Sequence, residues 1–260
     1  MANCSILIDN LADDGTVAAS SQELTMPASN LKTPHPSIRW RSRSSADWFV
    51  LDKGSVRVAD IVMVGGLTCG PNATVRLRLS SIDAAGVAAD ILDTGPIANG
   101  DRHFDIEYGS FVWQLAAPDA WRYQRFDISD PDADFVQAGS VVDGLSDTFQ
   151  YNFAPGGSIQ HVDRSRVAGT SSGITLTWDD NTFRRIDLSF DWVTAAQRYG
   201  VIERLDRVKG RKRNVLLITD PESDNLPRDS IYGLVTEQTP INFGPVFDIF
   251  GKQLRIDERI

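Results

Sequence analysis

Cysteine and histidine are scarce in this 260-residue chain, which holds two of the first, Cys4 and Cys69, and three of the second, His35, His103 and His161. Two cysteines form at most one disulfide, and with no secretion leader in view they read as reduced thiols. A zinc site takes about four convergent ligands, and no histidine has a cysteine or second histidine at ligand spacing, so no metal is expected. Three isolated histidines also supply no nucleophile–base arrangement, which speaks against an enzyme. Long apolar runs are missing: nothing approaches the ~20 residues of a membrane span. The first residues, Met1 to Asp9, have no basic region and too short an apolar core for a signal peptide. Positive charge is in deficit as well, 26 Lys and Arg against 35 Asp and Glu, a net charge of −9. That balance argues against nucleic acid and anionic lipid as partners. Internal repeats and low-complexity tracts are lacking too.

What is there is globular: 42% hydrophobic and 23% charged residues. Most apolar segments alternate with period two and are β-branched or aromatic, the pattern of strands with one solvated face. The clearest are Asp47 to Asp52, Val56 to Val64 and Ala73 to Ser80, where Val75, Leu77 and Leu79 point one way and Thr74, Arg76 and Arg78 the other. Further strands are expected at Ser110–Leu115, Arg122–Ile128, Phe135–Val142, Ile174–Trp178 and Arg185–Phe190. Turn signals separate them, among them Asp52-Lys53-Gly54, Cys69-Gly70-Pro71-Asn72 and Pro155-Gly156-Gly157. Many short punctuated strands predict a mainly all-β, antiparallel sandwich architecture. One segment departs from it. Thr194-Ala195-Ala196-Gln197 fits a capping box, and Ala195, Tyr199, Ile202, Leu205 and Val208 form a stripe at helical spacing that ends at Lys209-Gly210, which predicts one α-helix over about 194–209. A buried-strand run, Asn214 to Thr219, follows it. Residues 1–144 carry 11 basic and 19 acidic side chains, a net of −8, and residues 145–260 carry 15 and 16, a net of −1. This shift supports two domains divided just past Gly144.

Several residue groups invite a chemical role. Gly169-Thr170-Ser171-Ser172-Gly173 has the letters of a nucleophile elbow, but that motif leads from a strand into a helix, and here an alternating strand follows, so a hairpin turn is expected. Asp130-Pro131-Asp132-Ala133-Asp134 offers carboxylates to calcium, yet it lacks the glycine and distal glutamate of an EF-hand and reads as a solvated acidic turn. The basic run Arg207, Lys209, Arg211, Lys212 and Arg213 lies where cations oppose a helix macrodipole, and Arg207, Lys209, Arg211 and Arg213 are candidates for an assembly contact. Trp40, Trp48, Trp113 and Trp121 all fall in the first block. Sugars stack on aromatic faces while Arg and Asp reach their hydroxyls, which makes Trp40, Arg41, Asp47 and Trp48 candidates for carbohydrate binding. The competing account is a core role for the tryptophans. Alternation through Arg39-Trp40-Arg41-Ser42-Arg43 turns Trp40 inward and the arginines outward.

The stretch Met26-Pro27-Ala28-Ser29-Asn30-Leu31, the bend Thr33-Pro34-His35-Pro36 and the run Arg39-Trp40-Arg41-Ser42 resemble the opening of a galactose-binding-like jelly roll found in bacteriophage tail proteins. The strands Trp48 to Asp52, Val58 to Val64 and Ala73 to Ser81, and then Trp121 to Ile128, match in kind. In the second block Asp163-Arg164-Ser165, Thr219-Asp220-Pro221, Ser230-Ile231-Tyr232-Gly233 and Leu254 to Arg259 extend the likeness over nearly the whole chain. The resemblance implies an N-terminal jelly roll (1–144) and a distal-tail-protein-like β-sandwich with one docked helix (145–260). It further implies a non-enzymatic structural protein at the tail tip or baseplate of a long-tailed (siphophage-like) phage, made in the host cytoplasm and carried in the virion. Its partners would be other tail proteins and copies of itself, in a ring or in multiple copies, with a host glycan as a further partner and no cofactor. The alternatives are a carbohydrate-binding module for a host surface glycan and, less favoured, a tail-associated hydrolase.

Overall fold

The computed structural model describes residues 3–169, 175–244 and 246–260. Thr170 to Gly173 of the elbow-like motif lie outside the described residues. Flanking them, Arg166–Gly169 and Thr175–Trp178 pair antiparallel, Gly169 opposite Thr175. The chain is mainly β and antiparallel and forms two compact units. The first is Met1–Phe149 with Val215–Ser230 and Ile260, and the second is Gln150–Asn214 with Ile231–Arg259. Among the described residues, no helix is long and apolar enough to cross a membrane.

Two 20-residue strands, Ala46–Gly65 and Ser110–Ser129, dominate the first unit. Each merges two segments that the sequence reads as separate strands. The turn signal Asp52-Lys53-Gly54 does not end the strand but offsets its register, between Asp52 and Arg57. Gly54 sits at φ 78°, and its N–H donates to Asp52 Oδ1 at 2.7 Å. A bulge bends a strand without ending its pairing, so each long strand serves two layers. Residues 46–52 pair with 123–129, which pair in turn with Thr74–Ser80. Residues 61–65 pair with 110–114, and 61–64 also with Val141–Gly144. Phe49 and Leu51 from the first layer, Val62, Val64 and Phe111 from the second, and Leu77 and Phe126 meet in one core cluster, a β-sandwich. Phe126 joins the layers, its ring 5.1 Å from Phe49 and 5.9 Å from Phe111. The solvated face expected for Thr74, Arg76 and Arg78 is present, with Val75, Leu77 and Leu79 buried.

The first unit also takes in the run after the helix. Asn214–Ile218 pairs antiparallel with Ser5–Leu7, which also pairs with Asp147–Thr148. Arg228 Nε donates to Asp105 Oδ2 at 2.8 Å, and Leu226 N–H to the carbonyl of Arg102 at 2.9 Å.

In the second unit, Thr182–Thr194 pairs with Ser158–Asp163 on one side and Ile249–Glu258 on the other, and Ile249–Glu258 pairs with Ser230–Gln238. The expected helix is there, running from Ala195 to Lys209, and the side chain of Gln197 reaches back to the Thr194 N–H at 3.5 Å. Its buried face differs from the predicted stripe. Val201, Ile202, Leu205 and Lys209 are buried, whereas Tyr199 and Val208 are exposed. The cause is local: residues 198–202 and 205–209 form widened i→i+5 turns, which rotate the face away from a 3.6-residue repeat. Lys252, 2% exposed on its strand, anchors the helix by donating to both Asp206 oxygens (2.9 and 2.8 Å) and to the carbonyl of Thr239 at 2.7 Å. Removing Lys252 leaves the partly buried Asp206 carboxylate without its cation and the Thr239 carbonyl without its donor. Lys252→Ala is therefore expected to cost about 3 kcal/mol, read from the denaturant midpoint of the second unit.

Candidate functional site

The solvated face of the first unit carries a cleft of 310 Å³ whose lining includes Asp47, Trp48, Arg76, Arg78 and Asp127. Register assembles it. Trp48 lies opposite Asp127, and Asp127 opposite Arg76, so three strands distant in sequence place an aromatic ring, a carboxylate and a guanidinium in one row. In the next row Arg125 lies opposite both Val50 and Arg78. The Arg125 guanidinium covers the Trp48 ring at 4.2 Å from its centroid. It also donates to Asp127 Oδ1 from Nε and Nη2, at 2.9 and 2.8 Å. Arg78 Nη2 stands 3.0 Å from Asp127 Oδ2. The Trp48 ring is thus held by stacking and the arginines by ion pairing, a preorganised polar wall beside a half-buried aromatic surface.

Arg76 is fixed by a fork to Asp93, Nε to Oδ1 at 2.8 Å and Nη2 to Oδ2 at 2.5 Å. The Arg76 hydrogen bonds hold the Asp93 carboxyl down at about 2. Because the folded value is depressed, the pair contributes above the ordinary carboxylate value of about 4 and is lost only as pH falls toward 2. A carbon-detected NMR titration should give Asp93 a midpoint near 2, returning toward about 4 in Arg76→Gln.

Of the four residues that the sequence nominates for carbohydrate binding, Asp47 and Trp48 line this cleft and Trp40 and Arg41 do not. Asp47 is already engaged: Oδ2 accepts from the Ser21 hydroxyl and Oδ1 from the Trp48 N–H at 3.0 Å. Trp40 has to be reassigned, for it is fully buried. Its indole N–H donates to the carbonyl of Ser21 at 2.9 Å and its ring meets Phe49 edge-on at 5.5 Å. A ring in that position packs the core and has no face to offer a sugar. Arg41 stacks on Phe135, 3.4 Å from the ring centroid, away from the cleft. The sequence does not mark Arg76, Arg78 and Asp127 as site residues, although alternation in 74–80 puts both arginines on the solvated face. Their meeting with Trp48 depends on pairing between strands that no local pattern encodes.

The assembly candidates divide likewise. Arg207, Arg211 and Arg213 are exposed, but Lys209 is buried on the inner side of the widened helix and does not belong to a surface cluster. The acidic turn is also not solvated throughout. Asp130 is fully buried, accepting from the Gly70 N–H at 2.7 Å and the Asp132 N–H at 3.0 Å, while Asp132 accepts from Asn72 Nδ2 at 2.8 Å. These carboxylates organise a turn. Burial pushes the Cys4 and Cys69 thiols up to about 12, so neither is a nucleophile at neutral pH.

No family model and no curated protein matches this chain. Several solved structures do. CBM32-1 from a family 31 glycoside hydrolase of Clostridium perfringens is 16% identical, with 52% of this chain and 96% of that one covered at a TM-score of 0.40. Chitosan-binding module 1 from a chitosanase/glucanase of Paenibacillus sp. IK-5 is 15% identical, covering 52% and 98% at 0.39. A GH29 fucosidase of Ruminococcus gnavus is 13% identical, covering 54% of this chain and 27% of that one at 0.41.

Proposed function

We propose that the first unit is a carbohydrate-binding module and that Trp48, at the cleft with Arg76, Arg78 and Asp127, is its stacking platform. The observation that carries this reading is the row Trp48–Asp127–Arg76 on a solvated sheet face. A half-buried indole beside fixed guanidinium and carboxylate groups matches what a sugar needs, an apolar face flanked by hydrogen-bonding groups. The cleft volume of 310 Å³ suits a small saccharide unit. Trp48→Ala should weaken binding by about tenfold or more while leaving the unfolding midpoint of the unit nearly unchanged, because Trp48 is not part of the core. Isothermal titration with a glycan selected on an array, paired with denaturant unfolding, checks both halves.

A second reading, a structural part of a phage tail tip with other tail proteins or copies of itself as partners, draws support from a different surface. In the second unit Phe243 is 82% and Phe247 91% exposed, beside Tyr199 and Arg198 in a cleft of 460 Å³. Large exposed aromatics of this kind suit a protein partner. Antibody labelling of virions is its test, and labelling absent from the tail rules it out. The two readings are compatible, since a tail protein that presents a glycan-binding unit satisfies both.

A further inference from the structure

Lys53 and Asp143 stand out among the buried ionisable groups because glycan binding makes no use of them. Both side chains are wholly buried, with Nζ 2.9 Å from Oδ2. Yet Nζ and both carboxyl oxygens lack a hydrogen-bond partner, so the contact is close without being an aligned N–H···O bond. A charged pair in a dry interior is favourable only when its remaining donors and acceptors are satisfied. Here they are not. Burial pushes the Asp143 carboxyl up to about 6 and the Lys53 ammonium down, each against the attraction of its partner's opposite charge, while Asp60 adds to the first push and Arg57 to the second. The Trp121 ring closes one side, 4.1 Å from Nζ, and Asp60 is held by the Ser146 N–H and hydroxyl, both at 2.7 Å. Backbone structure fixes both reactants. Lys53 sits in the bulge of the long strand, and the strand of Asp143 pairs with that same long strand, Asp143 opposite Val62.

We propose that Lys53 and Asp143 are a site of spontaneous covalent modification, in which Nζ of Lys53 joins Cγ of Asp143 as an intramolecular amide. A proton passes from the ammonium to the carboxylate across the contact, leaving a neutral amine and a carboxylic acid. The amine lone pair attacks Cγ, forming the N–C bond. The carboxyl hydroxyl then leaves with a proton from Nζ as one water, and no other reagent is consumed. Fixed placement replaces an external activating group, since held reactants reach effective concentrations of about 10⁵ M or more. The bond would tie the bulge of the long strand to the last strand of the sandwich and cap the uncompensated pair.

Intact-mass spectrometry of the purified, denatured full chain tests this, because the amide makes the protein lighter than its sequence mass by one water. Asp143 precedes Gly144, a pairing that can also lose water by cyclising on its own backbone, so the loss must be located. A branched peptide joining the Lys53 and Asp143 segments after proteolysis, and a return to full sequence mass in Lys53→Met, support the proposal. Folded wild-type protein at full sequence mass overturns it. So does a water loss that persists in Lys53→Met or maps to a ring at Asp143-Gly144. Should Lys53→Met fail to fold, the branched peptide from the wild-type chain, found or absent, decides the matter.

Discussion

Trp40→Ala should destabilise the first unit by about 3–5 kcal/mol, a large part of the stability of a domain this size. The indole is fully buried, packs edge-on against Phe49 and donates its N–H to the carbonyl of Ser21. Truncation removes the transfer energy of one of the two fully buried indoles of the core, leaves a cavity and orphans a carbonyl, and these costs add. Denaturant unfolding followed by the remaining tryptophans measures the effect. Any glycan affinity lost in this variant would follow the unfolded fraction and would vanish as a specific effect under conditions where the variant is folded. Trp48→Ala should behave in the opposite way, with binding lost and the fold kept. The contrast between two tryptophans eight positions apart separates the packing residue from the contact residue.

Gly66→Ala should be nearly as damaging, at about 3 kcal/mol. Gly66 adopts φ +68°, in the left-handed region that a side chain resists, and an added Cβ would lie 2.1 Å from the carbonyl oxygen of Pro36. Backbone occupies that space, so no rotamer change relieves the clash. Gly139 approaches the same carbonyl, at 2.2 Å for its own Cβ. Between them these glycines let the Pro34-His35-Pro36 bend lie against the sandwich, where Arg39 Nε donates to the Gly66 carbonyl at 2.9 Å and Ser140 Oγ to the Thr33 carbonyl at 2.6 Å. Thermal unfolding of Gly66→Ala beside Gly95→Ala, also at positive φ but with open space around it, isolates the steric part.

Strand content was legible because alternation is local: 74–80 shows in the sequence the same inward and outward residues that it shows in the fold. Strand length was not, since Asp52-Lys53-Gly54 carries the chemistry of a turn and only pairing with Trp121 and Tyr123 makes it a bulge. The helix is legible from its capping box, but its buried face is not, because widened turns change the repeat. The destination of 214–219 was hidden for a similar reason. Four apolar residues, Val215 to Ile218, announce a buried strand, and nothing in them names Ser5–Leu7 as the partner. For the site, Trp48 and Asp47 were found through residue type, whereas Arg76, Arg78 and Asp127 join them only through cross-strand register.

Titration of the folded wild-type chain and of Trp48→Ala with glycans chosen from an array decides whether the Trp48 cleft binds sugar. Saturable binding of at least one glycan by the wild type is expected, with a loss of about tenfold or more in the folded variant. An array that stays blank, or a Trp48→Ala protein that binds as well as the wild type, would contradict it.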